Sequence, residues 1–219
     1  MISRASQFTL PLATLAVGLM FCGLPTVAAA GAKKGATENA SATSLVAEMR
    51  RSFTLRGKII PPEIFRDFGD GDLADSGGIW VTIDVDAGIG SNLYYDPIRE
   101  DGTWKSQRKE SKDGNEETGY AFQGATSNGL LVVLASYNSG GTGVFYTLHI
   151  LDVAAGAGFD SDGKRYQRIN LTNIRSAILG DRWQGELKIS GNAIRVITKR
   201  NGPGDAGARA PYTITAERP

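Results

Sequence analysis

The chain has 219 residues, with 24 Lys plus Arg against 23 Asp plus Glu and a single histidine, so its net charge is close to zero. That balance leaves no electrostatic footprint for nucleic acid or for an anionic membrane surface. One cysteine, Cys22, excludes an internal disulfide and a multi-thiolate metal centre.

Arg4, an apolar run from Phe8 through Phe21, Pro25 and the small residues Val27-Ala28-Ala29-Ala30-Gly31 follow the order of a secretory signal peptide, predicted over 1–30. Pro11 and Gly18 interrupt the apolar run, which falls short of the roughly 20 residues a spanning helix needs, so no stable membrane span is expected after cleavage. Phe21 ahead of Cys22 argues against lipid attachment, because a small residue is wanted there. Cleavage removes Arg4 and Cys22, leaving a cysteine-free, charge-balanced chain expected to be periplasmic or secreted.

Residues 31–43 are small and polar around Lys33-Lys34, too poor in apolar groups to offset the entropy of ordering, and read as a flexible arm. A single β-rich domain is predicted over 44–219, a size that one hydrophobic core normally sustains. Leu45, Val46 and Met49 suit a short helix from Ser44 to Arg51. Ile59-Ile60-Pro61-Pro62 forces extended backbone, and one helical turn at Glu63-Ile64-Phe65 can start after the prolines. Ile79 to Asp86 alternates from Val81 onward and predicts a strand. From Asp101-Gly102 to Thr118 the chain is densely charged, as expected of a solvated loop or exposed hairpin with Trp104 as its one large apolar residue.

Leu130–Ala135 and Val144–Val153 read as two buried strands joined by the glycine-rich Ser139–Gly143. Tyr166–Leu171 and Ile174–Leu179 are predicted as two further strands. A hairpin follows at Gln184–Ile189 and Ala193–Thr198, its core face carried by Leu187, Ile189, Ile194 and Val196, and Tyr212–Thr215 is placed to close a sheet. With 28 glycines marking turns, the fold class is all-β: an antiparallel sandwich or partly closed barrel behind a short N-terminal helix.

Chemistry-bearing residues are sparse. His149 lies in an apolar strand, and no G-x-S-x-G elbow accompanies it, so a strand histidine with satisfied polar atoms is expected rather than a catalytic one. Asp67, Asp70, Asp72 and Asp75 cluster on a glycine-rich loop that would suit calcium, but they lack the spacing of an EF-hand. Asp160-Ser161-Asp162-Gly163 is a shorter version, and turn chemistry explains both without a metal. No other cofactor is called for. A carboxylate pair of the type glycoside hydrolysis uses could be drawn from almost any two of Asp84, Asp86, Asp96, Asp152 and Asp181, and Asp84 and Asp86 share one face of the predicted strand, a face that on an antiparallel sheet is most often turned to solvent. Ligand contact is assigned to Tyr94, Tyr95, Trp104, Tyr137, Asn138, Asp181, Arg182 and Trp183: aromatic faces bury sugar C–H surface, and neighbouring polar groups take hydroxyls. For Trp104 the plainer alternative is a cover over the core edge, and for Asp181 and Arg182 it is a tie between a turn and adjacent backbone.

The residues Leu130-Leu131-Val132-Val133-Leu134-Ala135-Ser136-Tyr137-Asn138-Ser139-Gly140-Gly141-Thr142-Gly143-Val144-Phe145, followed by Leu179-Gly180-Asp181-Arg182-Trp183, resemble a loose group of uncharacterised exported bacterial β-rich proteins. That group shares a Gly-Gly-x-Gly-x-Phe turn and a Leu-Gly-Asp-Arg box. The resemblance covers about Tyr120 to Val196 and implies no reaction, because the group has no assigned activity.

Export, β architecture and the missing catalytic set lead to a non-enzymatic binding module of the cell envelope, with a glycan or a protein as ligand. Two alternatives remain: a polysaccharide hydrolase working through a carboxylate pair, and an inhibitor of a foreign hydrolase such as lysozyme, presenting the Ser139–Gly143 loop.

Overall fold

A computed structural model describes residues 42–66, 68, 81–90, 95–111, 114–199 and 210–218. The predicted signal peptide and most of the predicted arm therefore lie outside the described residues. The described chain is all-β, built on antiparallel sheets, and its largest sheet is not closed into a barrel.

Helix α1 (residues 42–52) leads into a miniature hairpin, β1 (Thr54–Leu55) and β2 (Lys58–Ile59), and then a 3-10 turn at Pro62–Arg66. The hairpin turn places Arg56 and Gly57 at φ +53° and +72°, the left-handed pair that a tight two-residue turn demands. Glu48 of α1 fastens this turn: its carboxylate accepts Thr54 Oγ1 at 2.9 Å, Gly57 N at 2.7 Å and Arg56 N at 3.1 Å. These donors, led by the Gly57 amide, hold the carboxyl below its usual range. Glu48→Ala is expected to cost about 1 kcal/mol in urea unfolding, because the turn amides return to water rather than staying buried.

Next come β3 (Thr82–Asp84), α2 (Val85–Gly90), β4 (Arg99–Asp101), β5 (Trp104–Ser111), β6 (Gly114–Ala125), β7 (Leu131–Asn138), β8 (Phe145–Phe159) and β9 (Arg165–Asp181). The strands form one seven-stranded sheet in the order β3-β9-β8-β7-β6-β5-β4. The last three, β10 (Gly185–Ser190), β11 (Ala193–Thr198) and β12 (Tyr212–Thr215), make a second sheet in chain order.

Alternation along the central strands serves two cores at once. Leu131, Val133, Leu151, Val153, Ile169 and Leu171 point to the face covered by α1, the miniature hairpin, the 3-10 turn and α2, where Met49, Phe53, Leu55, Ile60, Ile64 and Phe65 meet them. Val132, Leu148 and Ile150 point the other way, onto Ile194, Val196 and Ile214 of the three-stranded sheet. The molecule is thus layered, with the seven-stranded sheet in the middle.

Three expectations are revised and one is narrowed. Strand β3 ends at Asp84 and the chain turns into α2, because Asp84 Oδ1 accepts the amides of Asp86 at 3.1 Å and Ala87 at 3.4 Å and so caps that short helix. The two strands expected across 166–179 are one continuous strand, β9, which absorbs two register irregularities against β8 instead of breaking. Of the two forms expected for the charged stretch after Asp101, the hairpin is the one present: β5 and β6 pair from Trp104↔Ala121 to Ser111↔Gly114, with Arg108 and Glu117 bonded across the strands at 2.8 Å. The N-terminal helix exceeds the predicted 44–51 by a residue or two at each end.

Candidate functional site

One register line of the large sheet runs Ser106, Gly119, Ser136, Tyr146, Gly180 across β5 to β9. It lies on the face that also carries the three-stranded sheet. Small residues flank Tyr146 on this line, so large rings from neighbouring positions can lie over the backbone. Trp104 does so: a Cβ added to Gly119 would stand 2.6 Å from Trp104 Nε1. Beyond Tyr146, Trp183 packs against Gly185 just before β10, and its Nε1 donates to Thr198 Oγ1 at 3.1 Å.

The result is a row of three half-buried rings. Trp104 and Tyr146 have centroids 6.1 Å apart with planes at 52°; Tyr146 and Trp183 are 6.5 Å apart at 51°. Outward from the row on the same face, Arg108 and Glu117 form their ion pair, and Asn138 pairs with Glu117 on β7. Ser136 stands half-buried on the register line itself, where Ser106 is buried. Apolar ring faces beside hydroxyl, amide and paired-ion groups are the mixture that a sugar ring requires.

The residues assigned to ligand contact divide among three places. Trp104 and Trp183 belong to the row, and Tyr146, which sequence reasoning missed, joins them. Tyr95 and Tyr137 gather on the opposite face around Arg66, whose Nη1 donates to Tyr95 Oη at 2.6 Å and pairs with Glu116 at 3.1 Å, while its guanidinium carbon lies 5.5 Å from the Tyr137 ring centroid. The Tyr95 hydroxyl and Glu116 raise the Arg66 pKa, and burial raises that of Tyr95. Tyr94 lies outside the described residues.

Asn138, Asp181 and Arg182 hold the β7–β8 loop. Asn138 Oδ1 accepts Gly140 N at 2.8 Å, Asp181 Oδ1 accepts Val144 N at 2.7 Å, Arg182 N donates to Val144 O at 2.7 Å, and the Arg182 guanidinium donates to Thr142 O. The Gly-Asp-Arg box therefore ties its turn to adjacent backbone.

Asp67, Asp70, Asp72 and Asp75 lie outside the described residues, and among the described residues no three His, Cys, Asp or Glu groups converge as a metal site. At the second aspartate loop, Asp160 Oδ1 accepts the amides of Asp162 at 3.0 Å and Lys164 at 2.8 Å, and Gly163 takes φ +75°: the carboxylate closes its own turn.

Asp84 and Asp86 do not make a pair. Asp84 caps α2 and accepts Tyr166 Oη at 2.9 Å, and Asp86 is bonded to Arg56. His149 is 3% exposed and points to the helical face, between Phe65 and Phe68 at 5.5 and 5.7 Å, with Nδ1 2.9 Å from Ser176 Oγ. Asn173 Nδ2 donates to the same Ser176 oxygen at 2.8 Å, so the serine hydrogen is free to point at His149. This looks like a nucleophile and its base, but the chemistry is poor. Burial pushes the imidazole pKa down to about 4, and the two rings beside it carry no negative charge to stabilise an imidazolium.

Two hollows, of about 200 and 250 Å³, lie away from the row, one lined by Phe53, Ile59, Tyr120 and Phe122 among others, the second by Ile150, Ile174 and Arg218 among others. Both fall below the roughly 300 Å³ of a typical small-molecule pocket. Compared with known proteins, the chain matches no family model, no curated protein and no solved structure at a significant level.

Proposed function

We propose that this protein is a glycan-binding module of the cell envelope, exported by its N-terminal segment, and that Trp104, Tyr146 and Trp183 form its ligand-contact surface. The observation that carries this reading is the row itself: three rings from separate parts of the chain, two of them laid against glycines, aligned on one sheet face beside polar side chains. Sugar C–H faces stack on such rings while serine, asparagine and the Arg108–Glu117 pair exchange hydrogen bonds with hydroxyls.

Calorimetric titration with soluble β-linked glucans, N-acetylglucosamine oligomers and peptidoglycan fragments tests it. Trp104→Ala and Trp183→Ala are each expected to weaken binding by about tenfold or more, 1.4 kcal/mol per factor of ten. Phe145→Ala, which removes a ring 53% exposed on the opposite face, is expected to leave binding unchanged. Binding unaltered by both tryptophan substitutions in folded variants, or no binding by any glycan, would refute the reading.

The clamped Ser139–Gly143 loop favours a second reading, an inhibitor of a foreign hydrolase, since an inhibitory loop must hold its shape before docking. Inhibition of a lysozyme that Arg182→Ala weakens would support it.

A further inference from the structure

Resting on the glycan reading, we infer that the ligand is a single extended glycan strand lying across the strands of the sheet, rather than a flat polysaccharide surface or one terminal sugar. Three features of the row carry this. Its rings follow one another at 6.1 and 6.5 Å, so a ligand that touches all of them is longer than one pyranose ring. Successive planes are turned by 52° and 51°, so no flat face lies against two neighbouring rings at once. A strand whose sugars rotate about their linkages offers each ring a separate face. Finally, the row runs out toward an open side: Trp104 is paired to Asp101 of β4, an edge strand whose three residues are all exposed. A strand longer than the row therefore passes over the edge without obstruction.

The charge pattern narrows the chemistry further. Arg108 beside the row and Arg182 next to Trp183 are already bonded, to Glu117 at 2.8 Å and to Asp181 at 2.7 Å, so an anionic ligand gains no free counter-charge from either. The strand is neutral, and its binding is insensitive to salt.

The test uses the whole mature protein and chains of one to six units of β-1,4-glucan, β-1,3-glucan and β-1,4-linked N-acetylglucosamine, with crystalline cellulose and chitin particles as flat surfaces. For at least one series, affinity is expected to rise by about tenfold or more from one unit to three and then to level off. Trp183→Ala should bring that plateau to shorter chains, while particles fail to deplete the protein from solution. Affinity independent of chain length, or depletion by the particles equal to soluble binding, overturns the extended-strand inference and leaves the glycan reading standing. Failure of every oligomer and particle, and of the peptidoglycan fragments, to bind overturns both.

Discussion

Leu148→Ala and Leu151→Ala are each expected to destabilise the protein by about 2–5 kcal/mol, and in each variant unfolding remains one cooperative transition. Both side chains are fully buried, three residues apart on β8, yet they serve different cores: Leu148 packs toward the three-stranded sheet and Leu151 toward the helical layer. Each truncation removes methylenes and leaves a cavity between rigid neighbours, and the cost depends on how far those neighbours close in. Because β7 and β8 contribute alternate residues to both cores, neither core can be lost while the other keeps its sheet. Urea melts followed by tryptophan emission and by far-ultraviolet circular dichroism provide the check. Two separated transitions in either variant would mean that the layers fold independently.

Acid is expected to weaken the protein well before its carboxylates titrate, through His149. Burial between Phe65 and Phe68 lowers its pKa from 6.5 to about 4, against a smaller upward pull from Asn173. The unfolded chain takes up this proton near pH 6.5 and the folded chain only near pH 4, so between those values the unfolded state binds more protons. Stability is therefore full above pH 6.5, falls as the pH drops, and has lost up to about 3 kcal/mol once the folded state is protonated too. Glu48, whose pKa is lowered below 4.5, adds its own loss only at the acid end. The upper part of the window thus reads the histidine. His149→Gln should flatten the profile between pH 6.5 and 5 (about one unit above the folded-state value) in denaturant titrations. An unchanged slope in that variant would show that another group carries the acid sensitivity.

The elements legible in the sequence are those whose period is set by burial on one side. Leu187, Ile189, Ile194 and Val196 alternate as a two-faced hairpin, and they form it in the register Leu187↔Val196 and Ile189↔Ile194. The helical turn after Pro61-Pro62 is present for the reason read from the prolines. Alternation fails where a local bond intervenes: Ile79 to Asp86 reads as one strand, but the Asp84 side chain captures two amides and starts a helix. It fails again at Asn173 and Ile174, where the β9 irregularity lets one strand run on although the apolar pattern slips by a residue. The candidate site is only half legible. Trp104 and Trp183 are conspicuous as large rings in polar surroundings, whereas Tyr146 reads as one more residue of a buried strand. Its parity with Leu148 and Ile150 places it on the face of the second core. That β5 lies three strands from β8 in the sheet, with β7 and β6 between them, is a fact of sheet order, however, and no local pattern encodes it.

Gly119 and Gly185 each lie under a tryptophan ring, and that arrangement constrains how the surface can diverge. A side chain at position 119 and an indole at 104 exclude each other from the same space, as do a side chain at 185 and the indole at 183. The aromatic and its glycine are therefore sterically coupled in each pair. A lineage that abandons the ring is released to place any strand-forming residue opposite, whereas one that keeps the ring must keep the glycine, although glycine is a poor strand former. Paired retention of these residues in diverging relatives marks selection on the exposed ring face, since a need for sheet stability alone favours filling both glycine positions.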